Sequence, residues 1–521
     1  MSAPRITDAA SRAERRAQTP RVLIVGAGLG GIATAVNLVR RGIHSFEVFE
    51  KSAGAGGTWW DNRYPGAACD IPSMLYSYSF MLRAWPKTHA NQAEIQQYVE
   101  DVIDAFDLRS RIRFDLGVAS AVWRESRQTY DVTTSDGGHH EFDIVVSAVG
   151  MLNVPNEVNW PGIDAFGGDV VHSSRWPEGL NVTGRRVAVV GAGASAAQIV
   201  PELVLQAQHL VSFQREPAWI TPKRDRTLSP QEYARLASSP RQRWAERRRI
   251  LKGVDKALRV GTHVDSEPDR AARAASEAYI AEVLADRPDL RVRLMPDYPV
   301  RCKRTVQSNT FLQALTRENV TVAWGVHSAT STGLVDEDGV EHDVDLVVLA
   351  TGFQTTNYLA TIKVVGRDGR EIHDVWGADP AAFLGLTVPG FPNFYMLYGP
   401  NTHGTVVSFV LEKQAEYVAA DVVRMIRSGA TAIEVRPWAA RWFEKRLSAG
   451  LSRVEAWKAG CHSYYHSSSG RNVTQWPWSH RRYALWTRLL RVPSSRLLHQ
   501  GCSGAMGTFS DRRRTARELA R

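Results

Sequence analysis

The stretch Arg21–Glu50, RVLIVGAGLGGIATAVNLVRRGIHSFEVFE, decides the fold of this chain. It begins with the apolar run RVLIV, which suits a strand buried on both faces. The loop GAGLGG follows at once, then a helical apolar face, and then a second strand, Phe46–Phe49, that ends in Glu50. This order of strand, G-x-G-x-x-G, helix, strand and acid predicts a dinucleotide-binding unit of the Rossmann type.

The residues of this first unit have separate roles. Gly26 permits the tight turn, Gly28 lets the backbone approach a pyrophosphate, and Gly31 lets the helix pack closely on the strand. Glu50, which lies 24 residues after Gly26, would accept hydrogen bonds from a ribose 2′-hydroxyl. The acid therefore favours FAD or NAD, and a glycine turn without a ligand is the alternative.

A second unit of the same kind starts at the strand Arg186–Val190. Its loop reads Gly191-Ala192-Gly193-Ala194-Ser195-Ala196, with alanine at the third glycine position, an accepted variant. The next strand, His209–Phe213, ends in Gln214-Arg215 instead of an acid. Arginine suits a 2′-phosphate by charge and by bidentate hydrogen bonding, so this unit is predicted to bind NADPH and the first unit FAD. Glu216 is an awkward neighbour for a phosphate, and a solvated surface charge is the alternative role for Arg215.

Length and composition set limits on the architecture. The 521 residues exceed one ordinary domain, and 44% hydrophobic with 23% charged residues is typical of a globular protein. Residues 225–295 are rich in Ala, Arg and Glu, which predicts a helical insertion in the second unit, with Arg247–Arg249 on a solvated face. The run Asp343–Gly352, DVDLVVLATG, suits a strand that crosses back to the first domain.

The predicted fold class is α/β, with two Rossmann-like dinucleotide-binding domains, for FAD and NADP, and the helical insertion in the second. The predicted segments are a disordered N-terminal tail at 1–20, a discontinuous FAD-binding domain at 21–155 and 346–510, an NADPH-binding domain at 156–345 and a basic C-terminal tail at 511–521.

The net charge of +10 does not indicate a nucleic-acid partner. Residues 1–20 carry +2 and residues 511–521 carry +3, so half of the excess lies on the predicted tails, and no nucleic-acid recognition motif is present. The four cysteines, Cys69, Cys302, Cys461 and Cys502, include no C-x-x-C pair, which argues against a metal site and for reduced thiols. The N-terminal residues do not resemble a secretory signal, and no apolar run approaches the ~20 residues that span a bilayer. We therefore expect a cytoplasmic protein without a membrane span.

The two units are separated by the linking stretch Phe166–Pro177, FGGDVVHSSRWP. Its spacing is F-x-G-x-x-x-H-x-x-x-W-P, formed by Phe166, Gly168, His172 and Trp176. Taken alone, the stretch is as consistent with a short extended segment with a turn as with a functional element. Its position between two cofactor units favours a hinge.

Two dinucleotide units with this motif between them resemble the type I Baeyer–Villiger monooxygenases, which belong to the flavin-containing monooxygenase-like (class B) flavoproteins. The resemblance runs from about Arg21 to about Gly404. Gly57-Thr58-Trp59, Asn62–Ala67 and Cys69-Asp70 look like the family's flavin-side loop, and Lys303-Arg304 resembles its Lys-Arg pair. The chain departs from the family pattern at Ala68, where arginine is frequent, and in Thr305–Phe311, which lacks the usual Pro and Tyr-Tyr pair.

The resemblance implies roles for the matching residues. Arg304 would be the active-site arginine and Asp70 its carboxylate partner, while Lys303 would join Arg215 at the 2′-phosphate of NADPH. His172 looks like a catalytic base when considered alone, but its position favours a role in coupling domain orientation to flavin reduction. The residues implied to contact or flank FAD are Glu50, Thr58, Trp59, Asp70, Tyr76 and Val118.

The implied reaction is a Baeyer–Villiger oxidation that depends on NADPH and O₂. NADPH reduces FAD, O₂ adds to the reduced flavin, and a flavin C4a-peroxide inserts one oxygen atom next to the carbonyl of a small-molecule ketone, giving an ester or lactone. A fixed guanidinium would stabilise the negative charge that develops during this attack. The alternatives are a related flavin monooxygenase that oxidises N or S atoms, and an NADPH oxidase or NADPH-sensing flavoprotein.

Overall fold

The computed structural model describes residues 19–260, 263–404, 406–458 and 463–500. The predicted tails at 1–20 and 511–521 lie outside these residues, except for residues 19 and 20. The described strands are β1 (Val22–Val25), β2 (Phe46–Phe49), β3 (Ile112–Arg113), β4 (Val118–Arg124), β5 (Thr129–Thr134), β6 (His139–Phe142), β7 (Ile144–Ser147), β8 (Asp169–His172), β9 (Arg186–Val190), β10 (His209–Gln214), β11 (Ile220–Thr221), β12 (Val306–Gln307), β13 (Val320–Trp324), β14 (Ser328–Ala329), β15 (Gly333–Val335), β16 (Glu341–Asp343), β17 (Leu346–Leu349), β18 (Lys363–Val365), β19 (Phe394–Met396), β20 (Ala432–Val435) and β21 (Ser495–Leu498).

The described α-helices alternate with these strands in the first half of the chain and dominate the second unit's insertion and the C-terminal part. They are α1 (Leu29–Val39), α2 (Thr58–Asp61), α3 (Gln92–Ala105), α4 (Ala194–Leu203), α5 (Pro230–Ser238), α6 (Pro240–Val260), α7 (Glu267–Val283), α8 (Pro288–Arg293), α9 (Phe311–Leu315), α10 (Ile372–Trp376), α11 (Val407–Ser428), α12 (Pro437–Leu451) and α13 (His480–Leu489). None of the helices in the described ranges is long and apolar enough to cross a membrane.

Five parallel strands form the first sheet, in the order β19-β7-β1-β2-β3. In the centre, Val22 of β1 lies opposite Phe46 of β2 and Ile144 of β7. Both faces of the sheet are covered, so all four residues of β1 are buried. Helix α1 packs against α11, and glycines and alanines in its sequence LGGIATAVNLV permit this close approach.

Five parallel strands also form the second sheet, in the order β13-β10-β9-β17-β8. Val187 of β9 lies opposite Leu210 of β10 and Leu346 of β17. The edge strand β8 comes from the linking stretch, which therefore belongs to the second sheet. The first and second sheets each have a buried apolar cluster, as two dinucleotide-binding units require.

The position of β17 corrects the expectation for Asp343–Gly352. This strand lies between β9 and β8 in the second sheet, and the chain re-enters the first sheet only at β19. An apolar run bounded by a glycine suits any parallel strand that is buried on both faces, so its sequence did not say which sheet it joins. The predicted domain boundary between residues 345 and 346 would separate β17 from its own sheet. The other predicted domain boundaries stay predictions.

Helices α5 to α8 occupy the segment for which a helical insertion is predicted. Helix α5 begins with a capping box, in which Ser229 and Glu232 each accept a hydrogen bond from the other's backbone N–H. The flanking strands β11 and β12 pair with each other, so the insertion leaves and re-enters the second unit at one place.

The prediction that Arg247 is solvated is wrong. Its side chain is buried, and Nη1 donates hydrogen bonds to the carbonyl oxygens of Met74, Leu75 and Ser77 at 2.7, 3.2 and 2.8 Å. Three converging carbonyls give the guanidinium a buried polar site, and this arrangement depends on a segment far away in the sequence. Arg247 therefore fixes the insertion against the segment that contains Tyr76.

The remaining strands form smaller sheets at the edges of the two units. These are the four-stranded sheet β18-β4-β5-β6, the three-stranded sheet β14-β15-β16, and the pairs β11-β12 and β20-β21.

Candidate active site

A cavity of about 1420 Å³ lies between the two parallel sheets and includes both glycine loops in its walls. Of the predicted site residues in the described part of the chain, Gly31, Ala196, Phe166, Gly168, His172 and Trp176 are not in its lining. The predicted residues that line it are Gly26, Gly28, Glu50, Thr58, Trp59, Asp70, Tyr76, Val118, Gly191, Gly193, Ser195, Arg215, Lys303 and Arg304.

The first glycine loop is built as its sequence predicts. Gly26 has a φ of +104°, and a Cβ atom there would lie 2.9 Å from the Ala148 carbonyl oxygen. A Cβ atom on Gly31 would overlap the Gly26 carbonyl oxygen, so Gly31 acts through packing and not through the cavity. Glu50 is buried at the end of β2, where its carboxylate accepts hydrogen bonds from the backbone N–H groups of Ala27 at 2.7 Å and Ser52 at 2.9 Å.

The second nucleotide unit differs from the first at the corner of the cavity where a 2′-phosphate is predicted to bind. Arg215, Glu216 and Lys303 all line the cavity there, and the Lys303 ammonium group forms an ion pair with the Glu216 carboxylate. Lys303 Nζ also lies 4.7 Å from the centre of the Tyr298 ring. Burial and the neighbouring charge of Arg215 lower the pKa of Lys303 to about 8, although Glu216 lies against its ammonium group.

Arg304 and Asp70 form an ion pair inside the cavity. Arg304 Nη2 donates to Asp70 Oδ2 at 2.5 Å, and the two residues are 234 positions apart in the sequence. Burial alone would raise the pKa of Asp70, but the charge of Arg304 and its hydrogen bond outweigh burial and hold that pKa below its usual value. The charge of Asp70 raises the pKa of Arg304 well above its usual value. The pair therefore stays ionised at neutral pH, and the predicted partnership of these residues is geometrically possible.

A wall of neutral polar side chains, Tyr398, His403 and Tyr464, adjoins Arg304 in the cavity. The Tyr398 hydroxyl lies 2.7 Å from His403 Nδ1, and the Tyr464 hydroxyl lies 3.3 Å from His403 Nε2. Burial and the charge of Arg304 lower the pKa of His403 to about 3, so its ring is neutral. The sequence indicated that Phe391–Gly404 and Cys461–Trp478 are cofactor or substrate loops, but it did not single out these three side chains.

Gln198 and Tyr64 connect the two nucleotide units, and sequence reasoning missed both. The Tyr64 hydroxyl donates to Gln198 Oε1 at 2.9 Å, and Gln198 Nε2 donates to the Ala68 carbonyl oxygen at 2.9 Å. Gln198 lies on α4, directly behind the second glycine loop, while Tyr64 and Ala68 belong to the flavin-side loop. A glutamine on the helix that follows a glycine loop was the available signal, although nothing in its sequence context indicated a partner.

The linking stretch is fixed to the second unit at the point where the chain leaves β17. The backbone N–H of Ser174 lies 3.2 Å from His172 Nδ1, and His172 Nε2 lies 3.3 Å from the carbonyl oxygen of Gly352. The first contact requires Nδ1 to accept, so Nε2 carries the proton and donates to Gly352. Burial lowers the pKa of His172, which keeps the ring neutral. The ring joins the Ser174 turn to the chain that leaves β17, and the hinge role of His172 stays a prediction.

Replacing His172 by alanine is expected to slow reduction of the flavin by NADPH about tenfold, because two hydrogen bonds of about 1 kcal/mol each, which fix the linking stretch where the chain leaves β17, are lost. Anaerobic bleaching of the flavin measures this rate, and product formed per NADPH measures coupling. The control is His172→Asn, whose Oδ1 keeps an acceptor for the Ser174 N–H. An unchanged reduction rate in His172→Ala together with lost oxygenation would contradict the hinge role.

Cys302 departs from the expectation of reduced thiols. It is disulfide-bonded, whereas Cys69 is a buried free thiol. A disulfide requires only that the fold bring two Cys residues within reach, so the absence of C-x-x-C spacing did not exclude one.

Comparisons with known proteins agree with this geometry. Residues 23–256 match the family profile described as pyridine nucleotide-disulphide oxidoreductase. A Baeyer–Villiger monooxygenase of Streptomyces coelicolor is 38% identical over 492 residues, which is 92% of each chain. A Baeyer–Villiger monooxygenase of Pseudomonas aeruginosa is 35% identical over 90% of this chain and 89% of the relative.

Solved structures give the same result. Oxidised steroid monooxygenase bound to NADP superimposes with a TM-score of 0.83 at 30% identity, covering 92% of this chain and 100% of the other. The closed form of cyclohexanone monooxygenase has a TM-score of 0.84 at 28% identity, covering 92% and 99%.

Two dinucleotide units that face one cavity containing an arginine–carboxylate pair define a flavoprotein oxidoreductase that works with a nicotinamide cofactor. Within this class, the chain belongs to the Baeyer–Villiger monooxygenase family. The predicted family, fold class and FAD- and NADPH-dependent monooxygenase activity are confirmed. The roles of individual site residues stay predictions.

Proposed function

We propose that this enzyme converts a small-molecule ketone to an ester or lactone in the cavity between the two sheets, with Arg304 as the residue that stabilises the developing charge. The observation that carries the proposal is the Arg304–Asp70 ion pair, which lies inside this cavity together with both glycine loops. The first unit would bind FAD and the second NADPH. We place the reaction in the cytoplasm, where NADPH is supplied.

The residues around the cavity fit these two cofactors. Gly28 and Gly193 present no side chain to the space that a pyrophosphate would occupy, and Glu50 provides a buried carboxylate at a strand end. Thr351 Oγ1 also lines this cavity as a buried hydroxyl oxygen that has no hydrogen-bond partner among the described residues. When bound, FAD would activate O₂, which provides the inserted oxygen atom, and NADPH would supply the electrons.

Arg304 supplies the electrostatic part of the reaction. When an oxygen atom adds to the ketone, negative charge develops on the carbonyl oxygen. A guanidinium stabilises such charge because it keeps its proton and presents several N–H donors in a fixed plane. Asp70 positions this plane and keeps the arginine charged.

The neutral wall of Tyr398, His403 and Tyr464 completes the site. It brings hydrogen-bonding groups to the cavity without adding a charge to the Arg304–Asp70 ion pair, because the pKa of His403 is about 3. The substrate therefore meets an ion pair whose two charges balance, with Arg304 as its cation, and neutral polar groups, which suits an uncharged ketone.

The test is a screen of purified enzyme with NADPH, O₂ and a panel of cyclic, aromatic and long-chain ketones, with a sulfide and an amine as comparison substrates. Esters or lactones identified by mass spectrometry are expected, with NADPH consumed in proportion to product. Exclusive formation of sulfoxide or N-oxide would favour the alternative monooxygenase activity. Hydrogen peroxide formed in proportion to NADPH, without product, would favour an NADPH oxidase.

A further inference from the structure

We propose that Glu216 is a specificity-determining residue that weakens the preference for NADPH and allows the enzyme to bind NADH as well. This inference rests on the assignment of the second unit to the nicotinamide cofactor, and it does not depend on the proposed ketone chemistry. It follows from the charges at the end of β10, where Arg215 and Glu216 are adjacent and Lys303 arrives from the far side of the helical insertion.

The ion pair between Lys303 and Glu216 uses a cation that a 2′-phosphate needs. A phosphate monoester carries a charge of about −1.5 to −2 at neutral pH and is best matched by two cations. Arg215 and Lys303 provide these two charges. Glu216 cancels one of them, because its carboxylate forms an ion pair with the Lys303 ammonium group. NADPH must therefore displace Glu216 from Lys303, or bind against a corner with a net charge of only +1.

The same carboxylate suits a cofactor without the phosphate. The ribose of NADH presents a 2′-hydroxyl, and an acid close to the end of the second strand of a dinucleotide unit is the usual acceptor for it. In the first unit Glu50 directly follows β2, and in the second unit Glu216 lies two positions after β10. The second unit thus carries both an arginine for a phosphate and a glutamate for a hydroxyl.

The surroundings allow Lys303 to change partner. Its side chain is 20% exposed and that of Glu216 is 32% exposed, and both face the cavity. The Tyr298 ring beneath Lys303 Nζ supports an ammonium group through its π face without fixing a particular hydrogen bond. Lys303 can therefore pair with Glu216 when NADH binds and with the 2′-phosphate when NADPH binds.

The experiment measures the dissociation constants of NADP⁺ and NAD⁺ by calorimetry with the FAD-loaded enzyme, with 2′,5′-ADP as a separate probe of the phosphate corner. The main variant is Glu216→Gln, which keeps the side-chain size and removes the charge. NADP⁺ and 2′,5′-ADP are expected to bind about tenfold more tightly to this variant, since a competing and repelling carboxylate is lost, while NAD⁺ binds equally or more weakly. The steady-state KM values for NADPH and NADH should change in the same direction.

Glu232→Gln is the matched control, because Glu232 is an acid of the same second unit that pairs with Arg226 at the surface. It should leave both dissociation constants unchanged. Glu216→Ser serves as a second variant if Glu216→Gln does not fold, and the same change in the NADP⁺/NAD⁺ ratio is expected. A ratio of Kd for NADP⁺ to Kd for NAD⁺ that is unchanged or higher in a folded Glu216 variant, or wild-type enzyme that fails to bind NAD⁺ at millimolar concentration, would overturn the proposal. Because binding is measured without ketone, failure of the proposed oxidation would leave this result intact.

Discussion

Arg304→Ala is expected to lose ester formation by at least about 10²–10³-fold while FAD stays bound. The reason is that a fixed cation beside the reacting carbonyl acts mainly in the transition state, so its removal lowers kcat more than it raises KM for the ketone. FAD should remain because Arg304 lies outside the first glycine loop and the Glu50 strand end. Product formation, NADPH consumption and flavin content per protein together measure this outcome.

Two controls separate the charge of Arg304 from its shape. Arg304→Lys keeps a positive charge but loses the planar fork that holds Asp70, so partial activity is expected. Asp70→Asn keeps the volume of Asp70 and leaves Arg304 without its carboxylate, so a smaller loss than in Arg304→Ala is expected. Full ketone turnover by Arg304→Ala would show that the ion pair is structural only.

The sequence determined the two nucleotide units because their information is local. In the first unit, the buried run of β1, the glycine loop, α1 and the acid after β2 lie within Arg21–Glu50, and each has a distinct physical requirement. The assignment of β17 needed information that is not local. Its apolar run LVVL can pair with any buried parallel strand, and only the three-dimensional arrangement places it next to β9.

Predicting the site depended on the distance in sequence between its parts. Arg304 and Asp70 became partners only through the resemblance to a family, since no periodicity connects residues 234 positions apart. His403 and Tyr464 come from two loops without regular structure, so their contact could not be predicted. For Arg247, the sequence led to a wrong prediction of solvent exposure, because an arginine-rich helix is usually solvated. Its side chain instead donates hydrogen bonds to three backbone carbonyl oxygens in another segment.

Gly31→Ala is expected to abolish FAD binding and to destabilise the first unit by about 3 kcal/mol or more, at or above the upper end of the usual cost of overpacking. The added Cβ atom would overlap the Gly26 carbonyl oxygen and would also lie 3.3 Å from Ile24 Cγ2. A backbone oxygen cannot rotate away as a side chain can, so α1 would have to move off β1. Flavin content after purification and the midpoint of thermal unfolding measure the effect.

Gly193→Ala is the informative comparison, because it changes a glycine of the other loop by the same one carbon. A Cβ atom on Gly193 would meet no atom within 4 Å in the described structure, so the fold and the bound FAD should be retained. The added methyl group would instead enter the space that the NADPH pyrophosphate needs, and KM for NADPH should rise about tenfold or more. The two alanine variants thus separate a glycine required for packing from one required for approach of the cofactor.

A Gly31→Ala enzyme with full flavin content would show that α1 can shift without cost, and would contradict the role assigned to Gly31.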